Sequence, residues 1–254
     1  MIHREDRDSV AVLRIEHGKA NAIDTELLTE LADKLNELEQ SSARAVVLTG
    51  TGSIFSAGID LFRVLNGGRE YIEALLSTLT GSLLELFTFP RPVVAAINGH
   101  TIAGGCIVTC ACDYRIMAEG GGKIGVPELV VGVAFPSLAL EILRFVAPNQ
   151  HVQEMVYTGR TYSVEDAFRR GLIDEIASPE ALLDRACEVA AGFGAISPQA
   201  FEITKRQLRR PALDRFERYR YAVDDEAMRV WTSSETEAII RGYLQRTVGK
   251  SKST

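Results

Sequence analysis

The chain has 254 residues, 46% of them apolar and 24% charged, with a formal net charge of −6. That much apolar material builds a substantial core and is inconsistent with a disordered chain, while the acidic balance argues against a binder drawn electrostatically to nucleic acid. The start from Met1 to Asp8 is charged and lacks the apolar region of a signal peptide, and no later run is apolar over a membrane-spanning length, so a soluble, cytoplasmic protein is expected.

In chain order, Val10 to Ile15 reads as a first strand, and Asp24 as the N-cap of a helix with a stripe of Leu27, Leu31, Leu35 and Leu38. A strand over 45–49 runs into Gly50 and is followed by Phe55-Ser56-Ala57-Gly58-Ile59-Asp60. A helix is expected from about Glu70 to Phe87, striped by Leu75, Leu76, Leu79, Leu83 and Leu86 and stopped by Pro90 and Pro92. The strand 93–97 then runs into Asn98-Gly99, followed by Ala103-Gly104-Gly105-Cys106, a helix to Cys112 and another strand from Asp113 to Met117. Repeated strand-turn-helix units make an α/β fold. After Ile196-Ser197-Pro198 the chain becomes almost wholly charged amphipathic helix, which places a helical C-terminal subdomain there.

The paired glycine turns at 50–60 and 98–106 carry the functional signal. Peptide N–H groups at a helix start lack intrahelical partners and carry partial positive charge, so two such turns meeting at one point can clasp one developing oxyanion. Other motifs point away from rival chemistries. Cys106, Cys110 and Cys112 sit among apolar neighbours without a histidine pair, which reads as reduced core thiols rather than a zinc site. The turn Gly50-Thr51-Gly52-Ser53 lacks the Gly-Lys-Ser/Thr ending of a phosphate-binding loop, and Gly120-Gly121-Gly122-Lys123 reads as a loop beside the pocket.

The segments Ile97-Asn98-Gly99-His100, Ala103-Gly104-Gly105-Cys106, Cys112-Asp113-Tyr114-Arg115-Ile116 and Ile124-Gly125-Val126-Pro127-Glu128 resemble the central stretch of the enoyl-CoA hydratase/isomerase, or crotonase, family. Asn21-Ala22-Ile23, Ser56-Ala57-Gly58-Ile59-Asp60 and Thr158-Gly159-Arg160 with Ala167 and Gly171-Leu172-Ile173 extend the match over nearly the whole chain. The resemblance implies a spiral of strand-strand-helix repeats over 1–195 holding an acyl-CoA site, and a helical region over 196–254 that packs the chain into trimers or dimers of trimers. It implies an oxyanion hole of the Ile59 and Gly104 N–H groups around the thioester carbonyl, with Glu128 as the catalytic base. It places coenzyme A, as part of the substrate and with no separate cofactor or metal, near Ala20, Ala22, Ala57, Asp60 and Leu61, with Lys19 toward phosphate.

One position departs from the family's hydratases, which carry a second glutamate directly after the Gly-Gly-Cys segment, where this chain has Ile107. An aliphatic side chain neither orients water nor exchanges a proton, so the pattern favours Δ3 to Δ2 enoyl-CoA isomerisation by one carboxylate over hydration, or over a binding protein without catalysis. The run from Val131 to Ser137, with Phe135, is bulkier and more apolar than the hydratase equivalent and suits a drier pocket, although Phe135 and Leu138 also read as core. Pocket depth is assigned to loops over 62–74 and 133–140. Glu141 and Asp113 are read as structural, and His100 as a polar helix-start residue. The arginines at 206, 209, 210, 215, 218 and 220 read as a solvated helix face paired with Asp214, Glu217 and Asp224, and Phe216, Tyr219, Tyr221 and Trp231 as a trimer interface or core stripe.

Overall fold

The computed structural model describes residues 1–248; positions 249–254 of the expected C-terminal region lie outside the described residues. Two sheets carry the architecture. The larger is built from β1 (Ile2–Arg7), β2 (Val10–Ile15), β3 (Ala45–Gly50), β5 (Val93–Ile97), β7 (Tyr114–Ala118) and β10 (Glu175–Ala177), and the smaller from β4 (Ile54–Ser56), β6 (His100–Ile102), β8 (Ile124–Gly125) and β9 (Thr161–Tyr162). The chain passes from the large sheet to the small one in β3 to β4, β5 to β6 and β7 to β8, returning through α2 (Leu61–Thr88) and α3 (Gly104–Ala111). These are the strand-strand-helix turns of the expected spiral. The first strand read from the sequence is the second in the structure: charged Ile2–Arg7 pairs antiparallel with β2 along its whole length, from Ile2 opposite Ile15 to Arg7 opposite Val10.

From β2 onward the large sheet is parallel. Parallel strands are covered on both faces, which is why β3 and β5 are buried along their whole length and read as near-continuous apolar runs rather than alternating, the one polar side chain, Thr49, donating to the Ala96 carbonyl. Leu13, Val46 and Leu48 face a core shared with α1 (Thr25–Glu39) and α2, and Val12, Val47 and Val94 face α7 (Leu182–Gly194) through Ala186 and Ala190. The Asp24 carboxylate accepts from Leu27 N–H at 2.8 Å, capping α1 as its residue type suggests.

The helix expected from about Glu70 begins nine residues earlier, at Leu61, capped by the Asp60 carboxylate, which accepts from the N–H groups of Phe62 and Arg63. Gly67-Gly68 hides this start in the sequence: Gly68 takes φ 62° and ψ −160°, so the element kinks there instead of ending. The stretch 62–74 is therefore helix, and of 133–140 only the part before α4 (Ser137–Val146) is loop.

Between α4 and the C-terminal helices lie α5 (Asn149–Thr158) and α6 (Val164–Arg169). The end of the chain forms α8 (Pro198–Trp231) and α9 (Ser234–Val248). The basic face of α8 is not wholly solvated. Lys205 and Arg209 are buried on one stripe with Ala212 and Phe216, where Asp113 accepts from Lys205 Nζ at 2.7 Å and Arg209 Nη2 at 2.8 Å. Arg209 also donates to the Phe87 carbonyl and lies over the Phe87 ring. Among the described residues Asp224 pairs with no arginine but accepts from the backbone and hydroxyl of Ser137, starting α4. Buried Glu141 sits between Arg144 and Arg215. Of the four aromatics, Phe216 and Trp231 are core, while Tyr219 and Tyr221 are exposed. Among the described residues no helix is long and apolar enough to cross a membrane, and no cluster of His, Cys, Asp and Glu has the geometry to hold a metal ion.

Candidate active site

The two glycine turns meet. Asn98, between β5 and β6, accepts from Gly50 N–H at 3.0 Å and donates to the Gly52 carbonyl at 2.9 Å, tying one turn to the other. Downstream, the strip 20–23 holds the turn after β4: Ala57 N–H donates to Ala20 O, Ile23 N–H to Gly58 O and Asp60 N–H to Ile23 O. This ladder skips Ile59, whose N–H makes no hydrogen bond among the described residues. Gly104 opens α3, so its N–H also has no intrahelical acceptor.

These two free donors share one small space. A β-carbon on Gly58 would lie 3.2 Å from the Gly104 nitrogen, and one on Gly104 would lie 3.9 Å from the Ile59 nitrogen. Gly58 has φ +83° and presses on the Ile102 carbonyl, so only glycine fits there. Ala103, with φ 52° and ψ −125°, holds the preceding peptide in a conformation that costs an L-residue about 1–3 kcal/mol.

Glu128 begins a short 3-10 helix, Glu128–Val131, after Pro127. It is only 8% exposed, and its Oε2 is buried without a hydrogen-bond partner among the described residues. Burial, with no compensating cation among the described residues, pushes its carboxyl up to about 8, its own backbone N–H lowering it only in part. A carboxyl so placed takes up a proton readily at neutral pH and gives it back, the property needed of a group that acts first as base and then as acid.

Ala57, Ile59, Leu61, Gly104, Ile107, Glu128 and Phe135 line one cavity of about 670 Å3, mouth included. Ile107, almost fully buried, presents only hydrocarbon to it, and among the described residues Glu128 is the one carboxyl on its wall. Lys19, Ala20, Ala22 and Asp60 are not part of that wall; Lys19 is exposed, Ala20 and Asp60 hydrogen-bond within the turn that carries Ile59, and Ala22 lies in the strip beside it. The 120–123 loop does not line the cavity either, and His100 is an exposed strand residue rather than a helix-start residue.

Val133, Pro136 and Ala139, within the stretch 133–140 to which pocket depth is assigned, also line the cavity. Leu79 and Leu83 of α2 look like ordinary core positions, and Trp231 and Tyr243 come from the C-terminal helices; these four escape sequence reading. The C-terminal helices are fastened to the Glu128 segment. Trp231 Nε1–H donates to the Ala134 carbonyl at 2.9 Å, the Thr236 hydroxyl donates to Gly132 O at 2.9 Å, and Ile239 fills the space beside Gly132. Nothing local in the sequence announces contacts over such separations.

The sequence matches the family model described as enoyl-CoA hydratase/isomerase over residues 5–252. Enoyl-CoA delta isomerase 1, mitochondrial, of Mus musculus is 28% identical over 225 residues, covering 87% of this chain and 78% of that protein. A probable enoyl-CoA hydratase of Bacillus subtilis (strain 168) is 35% identical over 197 residues, covering 75% of this chain and 74% of its own. The crystal structure of human mitochondrial delta3-delta2-enoyl-CoA isomerase superposes with a TM-score of 0.93 at 26% identity, covering 98% of each chain. The chain belongs to the enoyl-CoA hydratase/isomerase family.

Proposed function

We propose that the chain converts a 3-enoyl-CoA to the conjugated 2-enoyl-CoA. The observation that carries this reading is the single carboxyl that the described residues bring to the cavity wall, Glu128, sharing that wall with Ile107, which supplies hydrocarbon. Glu128 takes a proton from C2, the electrons move into a dienolate whose oxygen is held by the N–H groups of Ile59 and Gly104, and the same carboxyl returns the proton at C4. The double bond moves from C3–C4 to C2–C3, with no water consumed and no other reactant. Coenzyme A belongs to the substrate, its carrier portion lying toward Ala57, Leu61 and the strip from Lys19 to Ala22, with Phe135 against the acyl chain. Hydration is disfavoured because it draws on a second carboxylate to hold and activate water.

A paired assay of the purified protein with a 3-enoyl-CoA and a 2-enoyl-CoA tests the reading. Gain of conjugation in the first with little loss of conjugation in the second is expected. Fast hydration of the 2-enoyl substrate makes the protein a hydratase with a reorganised water site, and no turnover of either points to other acyl-CoA chemistry or to binding alone.

A further inference from the structure

Ser56 sits where the two halves of the candidate oxyanion hole touch. It is buried at the end of β4, and its hydroxyl has one proton and one use for it: donation to the Asn21 carbonyl at 2.7 Å. The same oxygen accepts from Gly58 N–H at 3.2 Å, which fixes the peptide next to the Ile59 N–H. On its other side Ser56 carries α3: a β-carbon on Gly105 would lie 2.8 Å from Ser56 Cβ and 3.0 Å from its Oγ, so the residue after Gly104 rests directly on the serine.

The partner that orients the hydroxyl is itself locked. Asn21 has φ 47°, is buried, and spends both amide donors on the carbonyls of Ile54 and Phe55 while its Oδ1 accepts from His17 N–H at 2.8 Å. An asparagine tolerates this backbone conformation better than most residues. The outcome is a rigid bracket, loop 17–21 to β4 to the Gly58 peptide, abutting the start of α3.

We infer that Ser56, oriented by Asn21, is a positioning residue that sets the aim and spacing of the Ile59 and Gly104 N–H groups. The inference rests on the acyl-CoA reading of the site and not on which reaction follows. Neither side chain lines the cavity, so their effect on a thioester carbonyl passes through the backbone donors. Geometry at this level matters because a donor misplaced by about 1 Å costs about 100-fold in rate, close to the loss of a donor outright.

The test uses hexanoyl-CoA labelled with 13C at the thioester carbonyl, which cannot isomerise or hydrate, and reads its carbonyl stretch by infrared difference when bound. In the unmodified protein the stretch drops below that of free thioester. Ser56→Ala, which keeps the packing on Gly105, is expected to return it at least halfway, with kcat on an enoyl-CoA about 10- to 100-fold lower and KM within about twofold. Ser56→Cys, whose thiol is a weaker donor and acceptor, falls between, and decides the matter if the alanine variant does not fold. A serine that only supports the fold lowers the melting temperature and leaves the bound carbonyl stretch as low as in the unmodified protein; that result in a folded variant overturns the assignment. A carbonyl that is unperturbed even in the unmodified protein overturns the oxyanion-hole reading and the clamp together.

Discussion

Gly58 and Ala103 are pressed together so closely that a β-carbon on Gly58 would stand 2.8 Å from that of Ala103. One belongs to the turn carrying the Ile59 N–H and the other immediately precedes the Gly104 N–H, so this contact sets the width of the candidate oxyanion hole. Gly58→Ala adds an unfavourable positive φ to a collision with the Ile102 carbonyl and Ala103. The hole has to widen, and kcat is expected to fall by about 100-fold or more, as for loss of one donor. Steady-state kinetics checks this alongside circular dichroism, which should show the fold retained; full activity would mean that the two N–H groups do not act as a pair.

Burial puts the Glu128 carboxyl at about 8, above its ordinary 4.5, and the direction gives two pH predictions. The proposed base must be ionised to act, so kcat/KM should climb with pH to a limb near 8, and Glu128→Gln should lose both the limb and about 100- to 10,000-fold of the rate. In folding the sign is opposite. Between about 4.5 and 8 the folded chain holds a proton that the unfolded chain has released, so this group's contribution to stability is intact below 4.5 and declines as pH rises through 8. Urea titrations at pH 5 and pH 8.5 should show Glu128→Gln close to the parent at the lower value and more stable at the higher. An equal difference at both would mean that the carboxyl titrates near its ordinary value.

Ile107 and Glu128 share the cavity wall, so a carboxyl at 107 would face the same space. Ile107→Glu is expected to raise hydration of a 2-enoyl-CoA at least about 100-fold, the lower end of what a placed acid or base supplies, while costing stability because position 107 is buried. The rate of 3-hydroxyacyl-CoA formation measures it. If the unmodified chain already hydrates fast, the missing carboxylate is not what divides the two reactions here.

What the sequence disclosed follows the range of the forces involved. The β3 and β5 strands, their glycine turns and the Asp24 cap are written in runs of a few residues, and they appear where expected. The start of α2 was hidden because a single left-handed glycine at 68 bends a helix that a local reading takes to be absent. Arg209 looked solvated because charge usually is; its burial depends on Asp113, 96 positions away. Trp231 and Tyr243 reach the cavity only through the docking of α8 and α9, a tertiary arrangement with no periodic or local signature. The bracket of Asn21 and Ser56 was spelled out in the family-like motifs, but their roles rest on hydrogen-bond directions that residue types do not reveal.

Docking of α8 depends on an unequal bargain at Asp113. Burial pulls Lys205 down to about 8 even with Asp113 beside it, so desolvation outweighs the attraction in that pair. Removing the lysine leaves Asp113 still held by Arg209 and by the Val93 N–H, to which its Oδ2 is the acceptor at 2.8 Å. Removing the aspartate strands two cations in the interior. Asp113→Ala should therefore destabilise the chain by about 3–5 kcal/mol, while Lys205→Met, which keeps the stem's packing, should stay within about 1.5 kcal/mol of the parent. Denaturant unfolding of the two variants decides it: similar losses would mean that Lys205 anchors α8 as much as Asp113 does, and that the arginine alone cannot neutralise the buried carboxylate.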